Sequence, residues 1–117
     1  MIIANWKSNI IDVNNWYTNF NNFYKSMSDS AIIGVAPPTI YLDKLVTNLG
    51  KGDSEIKVGV QDVDHLYGSR TGTISVDMII ETGCRFAIIG HSERREIFNE
   101  DNDLIKEKLK SLNKRAM

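Results

Sequence analysis

The chain has 117 residues, 42% of them hydrophobic and 25% charged, with a formal net charge of −1, the make-up of an ordinary folded protein with room for a single domain over residues 1–117. Near-neutral charge gives no sign of a nucleic-acid partner, and no apolar run approaches the roughly 20 residues that span a bilayer. Met1-Ile2-Ile3-Ala4 is broken at once by Asn5 and Lys7, so no secretory leader and a cytoplasmic location are expected, while the lone Cys84 cannot form an internal disulfide and reads as a small packed residue.

The elements follow one another as strand, loop and helix, four times over, at about thirty residues per unit. A first strand over Met1 to Asn5 leads to a helix capped by Asp12, with Trp16, Phe20, Phe23 and Met27 at helical spacing as a core stripe. The second strand, Ala31 to Ala36, stops at Pro37-Pro38, because proline cannot donate to a sheet ladder. A helix with Leu42, Leu45, Val46 and Leu49 on one face follows, closed by Gly50 and the Lys51-Gly52-Asp53 turn. The third strand, Ile56 to Gln61, enters a loop from Asp62 to Thr73 that is too long for a mere connector. Ser75 caps the next helix, which carries Val76, Ile79 and Ile80 and ends at Gly83. The last helix shows Leu104, Ile105, Leu109 and Leu112, with Lys106, Lys108, Lys110 and Lys114 as a solvated face.

The fourth unit is the most informative. In Arg85-Phe86-Ala87-Ile88-Ile89-Gly90-His91-Ser92-Glu93-Arg94-Arg95 an apolar run, read as a strand buried on both faces, breaks into dense charge. Parallel α/β architectures present function at the carboxyl ends of their strands, and His91 stands at such an end. Ser92 is expected to cap a helix that carries Glu93 in its first turn and favours a neutral imidazole beside its positive end. Glu93, followed by two arginines, reads as an ion-paired positioning residue. Asp62-Val63-Asp64-His65 offers metal-ligand types, but no second cluster completes a site, so a polar loop and no metal are expected.

Gly90-His91-Ser92-Glu93-Arg94-Arg95 resembles the signature of the triosephosphate isomerase family. Asn5-Trp6-Lys7, Val35-Ala36-Pro37-Pro38 with Tyr41-Leu42, and Gly59-Val60-Gln61 leading to Thr71-Gly72 resemble other family segments in the same order. The resemblance runs from Met1 to about Asn113. It implies an α/β fold made of four βα units of a TIM (βα)8 barrel, a half-barrel with parallel strands and outer helices, since a complete barrel takes roughly 250 residues. It also implies interconversion of dihydroxyacetone phosphate and D-glyceraldehyde 3-phosphate through an enediolate, in glycolysis and gluconeogenesis, without a cofactor. By resemblance His91 is the electrophile, Lys7 supplies positive charge, Asn5 binds and orients substrate, and Ser92 and Glu93 are auxiliary.

The family's proton-abstracting glutamate, its lid and its phosphate-holding loops have no matching motif here, so the chain alone is expected to be inactive. A homodimer is implied in which Thr71 reaches a neighbouring chain and Arg94 meets a partner's glutamate. The pattern departs from the family's at Arg70, where an aromatic is usual, at Thr73, where the glutamate that Arg94 would meet is expected, and at Ser8, where methionine is common. The expected partners are a triose phosphate and either further copies or a complementary C-terminal half, with neither nucleic acid nor membrane. A non-catalytic (βα)4 assembly or binding module is the alternative function. An open flavodoxin-like domain also fits the periodicity, but no phosphate-binding loop follows the first strand.

Overall fold

The structure, a computed structural model, describes residues 1–25, 32–49 and 55–115. Four strands, β1 (Ile2–Asn5), β2 (Ile33–Ala36), β3 (Ile56–Val60) and β4 (Phe86–Ala87), form one parallel sheet in the order β1-β2-β3-β4. Sequential order with no reversal is that of consecutive barrel units and rules out a doubly wound sheet, whose strand order turns back at a switch point. The helices are α1 (Val13–Tyr24), α2 (Leu42–Leu49), α3 (Val76–Thr82), α4 (Ser92–Ile97) and α5 (Asn102–Asn113), and a 3-10 turn, Thr39–Tyr41, precedes α2. Among the described residues no helix is long and apolar enough to cross a membrane.

Local chemistry sets the helix ends. The Asp12 carboxylate accepts from the Asn14 and Asn15 N–H groups, Ser75 accepts from the Met78 N–H, and Gly83 closes α3 in the left-handed conformation. The core lies between one sheet face and the helices, where Val35, Val58 and Val60 meet Leu45, Val46 and Ile79. Cys84 is buried there, as expected, and burial pushes its thiol up to about 11. Register puts Ile3, Gly34, Gly59 and Phe86 on the opposite face. The Phe86 ring lies across Gly59 and Gly34 so closely that a Cβ on Gly59 would stand 2.5 Å from it.

Four expectations need correction. The aromatic stripe of α1 runs through Trp16, Phe20 and Tyr24, stacked at 4.7 and 5.8 Å, whereas Phe23 is 66% exposed. Residues four apart lie on one helical face, and Trp6 meeting Trp16 edge-on selects that face. Met27, residue 31 and the turn at 50–53 lie outside the described residues. The apolar run before His91 yields only the two residues of β4, and its side chains are half-buried. In α5, Lys108 is buried and ion-paired while Leu109 is 48% exposed, so one of the four lysines is no solvated charge. Finally, the cap of α4 is His91 and not Ser92, which is its first helical residue.

Candidate functional site

Three strand ends converge on a cleft of about 480 Å3 lined by Asn5, Lys7, Gln61, Asp62, His91 and Glu93, among others. β1 delivers Asn5, and the chain then turns sharply, because Lys7 adopts a left-handed conformation with φ 52°. For a residue with a side chain this costs about 1–2 kcal/mol, and it persists only where surrounding contacts hold it. Two contacts hold Lys7. Its N–H donates to Asn5 Oδ1 at 3.0 Å, and its carbonyl accepts from Gln61 Nε2 at 2.9 Å. The same Gln61 amide donates to the Ala36 carbonyl at 2.9 Å, so one side chain from the end of β3 ties the ends of β1 and β2. Gln61 therefore belongs to the site, although the sequence assigns it no role beyond its motif. Its place at a strand end was the available signal.

On the opposite wall the chain leaves β4 through Gly90, φ 66°, and enters α4. His91 Nδ1 accepts from the Glu93 N–H at 3.2 Å. A nitrogen that accepts in this way carries its lone pair toward the helix, which puts the ring proton on Nε2 in the neutral imidazole. Glu93 Oε2 also lies 3.5 Å from Nδ1, but its other oxygen is held far better, 2.6 Å from Lys7 Nζ. That hydrogen bond from Lys7 holds the Glu93 carboxyl below the usual carboxylate range. Glu93 is thus ion-paired as expected, though to Lys7 and not to the arginines beside it. An ammonium has three N–H donors, so Lys7 keeps donors for a ligand while so paired.

Arg94 is half-buried. Its Nε donates to Glu100 Oε1 at 2.7 Å and its Nη2 meets Asp62 Oδ2 at 2.9 Å, while the Phe98 ring stacks 4.6 Å from the guanidinium. Lys108 Nζ joins the same two carboxylates, 2.5 Å from Asp62 and 2.6 Å from Glu100. Sequence reading overlooked this cluster, having set Asp62 in a polar loop and Lys108 on a solvated face. Thr71 stands at the exposed tip of the loop after β3. Asp64 in that loop pairs with Arg70, and among the described residues no group of three His, Cys, Asp or Glu could hold a metal ion.

The family model described as triosephosphate isomerase matches residues 1–117. The chain is 34% identical to the triosephosphate isomerase of Shewanella sediminis over 129 residues, covering 100% of this chain and 47% of that protein. It is 35% identical to that of Buchnera aphidicola, with 97% and 45% covered, and 37% identical to that of Baumannia cicadellinicola, with 96% and 44% covered. The chain spans about half the length of the curated relatives it matches. The sequential parallel sheet and the match along all 117 residues agree, and the chain belongs to the triosephosphate isomerase family.

Proposed function

We propose that residues 1–117 act as one domain, the counterpart of the N-terminal (βα)4 half of a triosephosphate isomerase, and supply the electrophilic half of its active site. Dihydroxyacetone phosphate and D-glyceraldehyde 3-phosphate interconvert by loss of a proton beside the carbonyl, leaving an enediolate. His91 Nε2–H donates to the carbonyl oxygen and stabilises the negative charge that develops there. Lys7 offers positive charge to the same oxygen and to the phosphate, Asn5 orients substrate, and Glu93 and Ser92 hold Lys7 and the histidine turn. Thr71 and Arg94 belong to an interface with a second copy.

What supports this reading is the His91 hydrogen bond: an Nδ1 that accepts from the Glu93 N–H leaves Nε2 as the donor in a cleft shared with Lys7 and Asn5. No carboxylate in the 117 residues carries the motif of a proton-abstracting base. The isolated chain therefore shows no isomerase activity on glyceraldehyde 3-phosphate, and adding the C-terminal half of a relative restores it. In that complemented enzyme His91→Asn lowers kcat by about 10²-fold or more, the scale of a lost oxyanion donor. Turnover by the isolated chain that survives His91→Asn overturns the proposal.

A second reading, a non-catalytic (βα)4 module that pairs with copies of itself, draws on the sheet edges. Among the described strands β1 and β4 each have one neighbour, and Ile2 on β1 is 67% exposed.

A further inference from the structure

α4 carries the histidine turn, yet no core holds it. Six residues are too few to persist through their own hydrogen bonds, and none of the six is buried, so apolar burial does not fasten the helix. Its ties are polar. The pair between Glu93 and Lys7 joins side chains 44% and 52% exposed, and pairs so wet contribute little. Arg95 reaches the Gly90 carbonyl and Asn102 Oδ1 through exposed hydrogen bonds.

Arg94 is different, because its partner Glu100 is among the least exposed charges of the cluster and its pair with Asp62 joins side chains only 29% and 24% exposed. The side chains of Glu100 and Lys108 are only 3% and 4% exposed. Arg94, Asp62, Lys108 and Glu100 form a closed ring in which each carboxylate meets both cations. Glu100 follows α4 closely in the chain, and its N–H donates to the Arg94 carbonyl, so it moves with the helix. Asp62 directly follows Gln61 at the end of β3 and belongs to the sheet side of the cleft. Among the described residues it is the contact through which the Arg94 side chain reaches the sheet side.

We propose that Asp62 is a positioning residue: through Arg94 it closes a ring of four charges that fixes α4, and with it the His91 imidazole, to the end of β3. The proposal rests on reading His91 as the electrophile, but its test does not depend on turnover. Replacing Asp62 by asparagine leaves two cations sharing Glu100 and frees the sheet side of Arg94. Arg94→Lys is the second variant, since the guanidinium meets Glu100 through Nε and Asp62 through Nη2, and a lysine has no pair of nitrogens in that fixed fork.

The experiment uses the 117-residue chain carrying His65→Gln, which leaves His91 as its only histidine. It reads the 15N shifts of the His91 ring and hydrogen exchange at the Glu93 amide. Asp62→Asn and Arg94→Lys each speed Glu93 exchange about tenfold or more and move the ring shifts toward a tautomer average, while amides of β2 and β3 keep their protection. Unchanged Glu93 exchange and ring shifts in folded variants overturn the proposal, as does an equal loss of protection at Glu93 and in β2 and β3. If Asp62→Asn does not fold, Arg94→Lys decides by the same signals. Failure of the unmutated chain to bind glycerol 3-phosphate would count against the functional reading alone and would alter none of these signals.

Discussion

Asp64 illustrates how one residue organises a loop. It lies under the segment between β3 and α3, where burial raises its pKa, but the Leu66 N–H at 3.0 Å, the Arg70 guanidinium and Thr73 outweigh that and hold the carboxyl near 2. Arg70 donates through Nε at 2.9 Å and through Nη2, and it also binds the Tyr67 and Leu66 carbonyls. The arginine that stands at the family's aromatic position therefore staples the loop from within. A folded pKa of about 2 against a usual 3.8 means the contribution is complete above about pH 4 and lost as pH falls toward 2. Its size is about 2 kcal/mol. Asp64→Asn should cost about that much in urea unfolding at pH 7 and almost nothing at pH 2. A difference that stays constant between the two would show that the carboxylate is not the source.

Among the elements, β4 is placed against the sheet by one ring. Phe86 spreads across β3 and β2, and the glycines at 59 and 34 are the hollows that receive its ring. A Cβ at Gly59 would meet ring carbons at 2.5 Å, so either the ring or the strand must move. Overpacking of this kind costs about 1–3 kcal/mol. Gly59→Ala should lower the urea midpoint accordingly, and combining it with Phe86→Leu should recover part of the loss, because the two positions touch and their effects are not additive. Full additivity would place the strain elsewhere. Among the described residues the sheet face under Phe86 carries glycines, and the run that reads as a doubly buried strand is half-buried at Phe86 and Ala87.

For the whole molecule the decisive feature is a parallel sheet whose outer strands, β1 and β4, each have one neighbour among the described strands. Unpaired strand N–H and C=O groups invite another strand, and the β1 edge adds Ile2 and the 71% exposed Met1. Sedimentation velocity of the 117-residue chain should give a weight-average mass that rises above 13.2 kDa with concentration. Ile2→Lys, which sets a charge on that edge strand, should reduce the rise. A chain monomeric at every concentration would remove support for the self-pairing reading.

The sequence by itself determined the order of strands and helices, the Asp12 and Ser75 caps, the buried Cys84, the family, and the placing of Asn5 at the end of a strand and of Lys7 and His91 after strands. Each of these depends on interactions within a few residues or on four colinear motifs. It missed the aromatic face of α1, where spacings of three and four both fit a helix and only the contact of Trp16 with Trp6 chooses between them. It missed His91 as the cap of α4, because serine is the commoner cap and the imidazole takes that place through its own ring nitrogen. The tertiary structure alone decided which charges meet. Lys7 finds Glu93 across 86 residues, Lys108 finds Asp62 across 46, and this lysine that patterning assigns to solvent is buried against Glu100. Ion pairing depends on distance through space, and spacing along the chain does not encode that distance until the sheet has brought its strand ends together.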